Sequence, residues 1–354
     1  MSATVTKPHP AIAPIVLACS LTGLILYRMA FVQAPMSGLW SSYLDSCTYP
    51  KTTFFRNSIC ALEPLFKDLV GNEIGKSFMT IFGTAGGVMA TYLFIKGGES
   101  GASVVFNPLF TIAHTLAGQR FGAGMIGPIV LPAAFAFSRI FPPQTNAAAP
   151  GHGPPTYNYT VSLFIMQFLV FVLSTLLSSV PTSSTAWPYV NYAFQLFPLL
   201  FLPLAFLNNN SPPPPHTHTK GSAAPAAVPT LSVSVFTFYK YLYAPLWWMS
   251  LLQGLNRAYR AYYNYAQNAP SPFTLPTYFM ALDLVGFVVM FVGVFAVEWV
   301  QGGDEVAGEM GWGEVGWRVV GTGLGSTMAV VFERKQRRVV ERAQEARGGK
   351  VRIG

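Results

Sequence analysis

Long apolar runs recur along the chain, separated by short polar or proline-rich breaks, and each is near the ~20 residues that carry a helix across a bilayer. They predict helices over residues 11–32, 77–95, 121–141, 160–180, 188–207, 231–252, 275–300 and 317–332. The expected fold is all-α, a polytopic transmembrane helix bundle of about eight spans plus a short re-entrant or interfacial segment. That segment is 54–70, apolar but interrupted by Arg56, Glu63, Pro64, Lys67 and Asp68, which lipid-facing backbone would not tolerate. A second such piece, 104–116, leads into the third helix. Lys7 ahead of the first run imitates a signal peptide, but no small-residue cleavage site with a soluble domain follows, so an uncleaved helix is expected.

Composition strengthens this picture. Of 354 residues 51% are hydrophobic and 10% charged, against about 25% charged in a soluble domain. No Asp, Glu, Lys or Arg occurs between Ile140 and Thr219. Cys19, Cys47 and Cys60 are too few and too irregular for a disulfide scaffold or a zinc site. The net charge of +8 is concentrated in 334–354, where eight Lys/Arg stand against Glu341 and Glu345. We read that asymmetry as a topology signal, with no nucleic-acid partner implied. One transmembrane domain, 1–333, then precedes a basic cytosolic tail, 334–354. An even span count places both termini in the cytosol, with the endoplasmic reticulum the expected membrane.

The loops sort with that orientation. Residues 301–316 carry Asp304, Glu305, Glu309 and Glu314 with no Lys or Arg and are expected outside, whereas Arg257 and Arg260 are expected inside. Two glycosylation sequons, at Asn158 and Asn209, fall in loops expected to be luminal, which would make the chain a glycoprotein. Residues 208–230, with Pro212 to Pro215, His216 and His218, read as a flexible linker. The two histidines lack carboxylate or cysteine partners for a metal.

A charge at the centre of a bilayer costs about 3 kcal/mol, so buried ionisable groups are functional candidates. They are Glu63, Lys67 and Asp68, His114 and Arg120, Lys240, Asp283 and Glu298. Asp283 lies eight residues past Leu275, about 12 Å along its helix, too deep to reach water. Two readings are open for it: an acid in a cavity, or an ion pair with Lys240 at compatible depth on the preceding helix. Glu298, Arg120 and Lys67 sit near helix ends, where headgroup anchoring accounts for them. A dense aromatic cluster runs through Phe236, Phe238, Tyr239, Tyr241, Tyr243, Trp247 and Trp248. Such ring faces either form an interfacial belt or stabilise a passing carbocation without capturing it. Gly83/Gly87, Gly118/Gly122 and Gly321/Gly325 have the spacing of close helix packing.

No Asp-Asp-x-x-Asp box, Walker loop, Gly-x-Gly-x-x-Gly fingerprint, Gly-x-Ser-x-Gly or His-Glu-x-x-His occurs. Metal-bound diphosphate departure, nucleotide and nicotinamide chemistry, serine hydrolysis and zinc proteolysis are therefore not expected, nor is any cofactor. The segment Ser58-Ile-Cys60-Ala-Leu-Glu63-Pro64, the run Phe121-Gly-Ala-Gly-Met-Ile-Gly-Pro128 into Leu131-Pro132, the proline-bearing helix from Tyr192 through Pro198 to Pro203, and the Asp283 to Trp299 helix give a layout over about 11–335. This layout resembles the fungal integral membrane terpene cyclases of meroterpenoid secondary metabolism, of the ascochlorin and ascofuranone type. The 208–230 and 301–316 loops depart from it.

The resemblance implies acid-initiated, metal-independent cyclisation of a prenyl or epoxyprenyl chain. The partners would be a lipophilic prenylated substrate from the bilayer, the membrane lipids and other enzymes of the pathway. Read on these residues, Asp283 or Glu63 would be the acid, while Tyr241, Trp247, Trp248, Tyr278 and His114 would surround the substrate. A small-molecule transporter or a non-catalytic membrane scaffold is the alternative.

Overall fold

The computed structural model describes residues 9–33, 62–99, 102–140, 154–207, 228–265, 274–302 and 310–345. Among them every regular element is helical. In chain order they are α1 (Ile12–Tyr27, continued by a π-helical turn Arg28–Gln33), α2 (Leu62–Gly71), α3 (Glu73–Gly98), α4 (Pro108–Phe121), α5 (Ala123–Ile140), α6 (Tyr157–Ser179), α7 (Trp187–Gln195), α8 (Leu202–Leu207), α9 (Val228–Tyr265), α10 (Leu275–Gly302), α11 (Trp312–Thr322) and α12 (Leu324–Glu345).

Local chemistry sets the boundaries. Asn72 stops α2 and caps α3, its side chain accepting from the Ile74 and Gly75 amides. Asn107 does the same for α4, where Pro108 fills the first turn at no hydrogen-bond cost. Gly122, at φ +86°, turns α4 into α5, and Gly323, at φ +83°, turns α11 into α12.

Among the described residues four helices are long and apolar enough to cross a membrane, or five if the bent pair Trp187–Gln195 and Phe197–Leu207, at 50°, is one span. Their outward faces are apolar: Leu17, Leu21 and Leu24 on α1, and Phe164, Ile165, Phe168 and Phe171 on α6, are all exposed. Polar groups point inward instead. Buried Thr91 receives a hydrogen bond from Gln167 Nε2 at 2.9 Å and lies 3.4 Å from the Tyr239 hydroxyl, tying α3, α6 and α9 together. That inversion suits a solvent that offers apolar side chains nothing to avoid.

Contacts fix the running direction of each helix. The C-terminal ends of α3 and α10 lie together, since Lys335 pairs with Glu298 while Gln336 donates to Glu99 at 2.7 Å. The start of α6 is there too, its Tyr159 hydroxyl donating to the Phe94 carbonyl at 2.7 Å. So is the start of α11, with Trp312 against Phe295 and Trp299. At the opposite end the Thr274 hydroxyl donates to Asp68 at 2.6 Å, and the Trp187 indole N–H donates to the Leu177 carbonyl.

Three expectations are corrected here. The span expected over 317–332 is two helices meeting at Gly323, a hairpin that enters beside Trp299 and turns back at Trp247. The segment expected as a minor piece over 104–116 is instead α4, which runs from Gly97 at one end to Gly122 beside Asp283. Because the hairpin returns to the end it left, both flanks of the acidic loop lie at the same end as basic α12, and so does Asn158 at the start of α6. The orientation that put the 301–316 loop and the Asn158 sequon opposite the basic tail does not hold. Of the expected 54–70 piece, the described part is the short helix α2. Cys47, Cys60, Asn209, His216 and His218 lie outside the described residues.

Candidate functional site

Asp283 is buried at 3% exposure and works on the backbone of α5. Its Oδ1 accepts from the Gly124 amide at 2.7 Å, and the Ala123 and Met125 amides are directed at the same carboxyl. These are the orphan N–H groups of a helix start that has no water to turn to. The fit depends on glycine. A Cβ on Gly122 would stand 2.6 Å from Asp283 Oδ1, and one on Gly124 or Gly286 would overlap the facing backbone. The backbones of α5 and α10 therefore touch here, with no room left for a substrate.

Lys240 is not Asp283's partner. It donates to Glu333 at 2.9 Å, and Arg337 engages the other oxygen of that carboxylate at 2.8 Å. The pairing expected across α9 and α10 is thus made across α9 and α12. Glu298, Lys335, the Tyr92 hydroxyl, Lys96, Glu99 and Gln336 continue this ionic layer over the same end of the bundle.

Glu63 stands apart from both groups. On the first turn of α2 it accepts a 2.6 Å hydrogen bond from the Tyr192 hydroxyl of α7. Aromatic faces lie alongside: Phe66 meets Phe194 edge to face at 5.6 Å, and Phe194 is followed by Phe197 at the same separation. Among the described residues the Glu63–Tyr192 contact is one of two carboxyl–phenol pairs, the other being Tyr92 with Glu298 in the ionic layer.

The remaining expected residues scatter. Trp247 packs its ring under Gly323, where a Cβ would come within 2.5 Å, and Trp248, at 45% exposure, donates its indole N–H to the Gly321 carbonyl at 2.8 Å. Both hold the tip of the hairpin. Tyr278 faces outward from the first turn of α10. His114 lies within α4, its ring stacked near Phe110 at 6.2 Å. Tyr241 is exposed and lines an open cleft of about 560 Å³ between α9, α11 and α12, together with Lys240, Arg318, Glu333, Arg334 and Arg337. Neither Asp283 nor Trp247 lines that cleft. Beside it, Glu314 is held below the ordinary carboxylate range by the hydrogen bond from Arg318 and by the charge of Arg334.

Sequence reading missed Tyr192 as a partner and Arg318, and saw Arg334 and Arg337 only as part of a basic tail. The signal for the cleft arginines was present, since Glu314/Arg318 and Glu333/Arg337 are both spaced i,i+4 on a helix. Compared with known proteins, the chain matches no family model, no curated protein and no solved structure.

Proposed function

We propose that this chain is a membrane-embedded terpene cyclase acting on a lipophilic prenylated substrate drawn from the bilayer, with Glu63 as the acid and Tyr192 as its positioning partner. The observation that carries this reading is the 2.6 Å Tyr192–Glu63 hydrogen bond beside the Phe66, Phe194 and Phe197 rings. It is joined to the layout resemblance, in which Glu63 belongs to the segment after the first helix. Tyr192 donates to Oε2 and so fixes the orientation of the carboxyl. The carboxyl protonates an epoxide oxygen or a terminal alkene, a C–O or C=C bond opens, and the next alkene supplies electrons for ring closure. The final cation loses a proton to the Glu63 carboxylate, either from carbon or from the internal hydroxyl that traps it, so the acid is restored and the product is an isomer of the substrate. Aromatic faces stabilise the moving charge. Asp283 has a structural role in this scheme.

In membrane terms the proposed arrangement has six passes, α1, α3, α6, the α7–α8 pair, α9 and α10, with α4–α5 and α11–α12 each forming a hairpin that turns back at a glycine. We place the basic end in the cytosol and the protein in the endoplasmic reticulum.

The test is expression in a host fed a prenylated phenol or its terminal epoxide, with protein amount followed alongside product. Glu63→Gln should reduce product by about a hundredfold or more at unchanged protein level, the span typical of a lost general acid. Tyr192→Phe should reduce it by about tenfold, consistent with loss of one hydrogen bond to a charged or reacting carboxyl. Normal turnover in Glu63→Gln removes this assignment. Transport is the second reading, favoured by the 50° break between α7 and the segment that follows it, since discontinuous helices build transporter sites. Flux of the unmodified compound across proteoliposomes, with no isomer formed, would select it.

A further inference from the structure

We infer that the cleft between α9, α11 and α12 binds the phosphate headgroup of an anionic membrane lipid, independently of the cyclase reading. Lys240, Arg318, Arg334 and Arg337 line it, and a second cleft sharing Arg334 and Arg337 adds Arg338. Against these five cations stand three carboxylates, Glu314, Glu333 and Glu341. The balance is positive in a place where internal ion pairing would have sufficed for stability alone.

Two of the donors, Arg318 and Arg337, are only partly used. Arg318 engages Glu314 through Nε, and Arg337 engages Glu333 through Nε and one Nη, so both Nη groups of Arg318 and Nη1 of Arg337 have no partner among the described residues. Their side chains are 34% and 39% exposed, open to a ligand, while Glu333 beneath them is 6% exposed. A guanidinium's fixed fork matches the oxygens of a phosphate.

The flanks of the cleft suit the other end of a lipid. Tyr241, at 70% exposure, lines the cleft itself, and Trp317, at 75%, is exposed one residue before Arg318 on α11. Trp and Tyr in such positions sit at headgroup level, and basic pockets between membrane helices are where anionic headgroups dock. The hairpin turn at Gly323 brings α11 back against α12 and so builds the cleft's walls.

The test uses the full chain purified in mild detergent, titrated with short-chain phosphatidylinositol phosphate, with phosphatidylcholine of the same chains, and with inorganic phosphate. The anionic lipid should bind at least about tenfold more tightly than phosphatidylcholine. Arg318→Gln should weaken it by about tenfold, the loss expected for one charge-assisted contact, while the melting temperature without lipid stays within a few degrees. Inorganic phosphate should compete only in the millimolar range. Equal binding of the two lipids overturns the inference, as does full competition by micromolar inorganic phosphate, which would make free phosphate the ligand. Should Arg318→Gln fail to fold, the wild-type comparison of the two lipids decides alone.

Discussion

Asp283→Asn keeps an oxygen for the Gly124 amide, so the start of α5 remains capped. The expected cost is about 1 kcal/mol, and both protein level and turnover should stay near wild type. Asp283→Ala leaves buried amides without an acceptor at about 1–3 kcal/mol, and thermal unfolding in detergent should show the difference between the two variants. Loss of turnover in Asp283→Asn at normal protein level would return the acid's role to this residue. Lys240→Met belongs to a separate group, because Glu333 keeps Arg337 when Lys240 goes. Its effect and that of Asp283→Asn should therefore add within about 0.5 kcal/mol in the double variant. Rescue of one by the other, the sign of a direct ion pair, would contradict the observed partners. Asp283 was legible in the sequence as a buried carboxyl that must face protein. Its partner was not, because a backbone amide at the start of another helix leaves no side-chain signature, whereas Lys240 at matching depth does.

At the scale of elements, the α11–α12 hairpin depends on one backbone conformation. Gly323→Ala combines a left-handed backbone, costing about 1–2 kcal/mol for an L-residue, with a Cβ driven into the Trp247 ring. It should lower the melting temperature and, by loosening α11 from α12, weaken anionic-lipid binding together with it. An unchanged melting temperature would mean that the turn does not hold the hairpin. Glu314 gives a pH handle on the same element. Its lowered folded-state value means that its contribution is present above the unfolded value of about 4.3 and lost as pH falls through the folded value. Protease access to the hairpin should accordingly rise only below about pH 4. The sequence marked Gly321 and Gly325 as close-packing positions, and Gly325 does press on Thr84 and Ala85 of α3, but a Cβ on Gly321 would meet nothing. The tightest crossing, Gly124 against Gly286, joins two helices far apart in the chain, where spacing within either helix says nothing of the other.

For the whole molecule, apolar run length carried most of what could be read. The helices expected over 77–95, 160–180 and 275–300 are Glu73–Gly98, Tyr157–Ser179 and Leu275–Gly302, each within a few residues. Hydropathy fails where an apolar stretch turns back instead of crossing, as at Gly323, because a re-entrant pair and a span present the same composition. That single misreading moved the acidic loop and Asn158 to the wrong end. Asn158 should consequently carry no sugar in microsomes, and an acceptor engineered between α10 and α11 should stay unmodified as well. Modification of either would mean that the basic end faces the lumen. Glu63 was singled out by its charge, but Tyr192 was seen only as part of a proline-bearing helix, since nothing in sequence spacing joins positions 63 and 192.

Catalysis is tested most directly with purified protein in liposomes containing a prenylated phenol epoxide, chelator present, and products resolved by mass spectrometry. Wild-type protein should convert the substrate to a cyclic isomer of identical mass, and so should Asp283→Asn, while Glu63→Gln should leave it unchanged. Equal conversion by wild type and Glu63→Gln, or no isomer from wild type at all, would contradict the assignment of this chain as a cyclase with Glu63 as its acid.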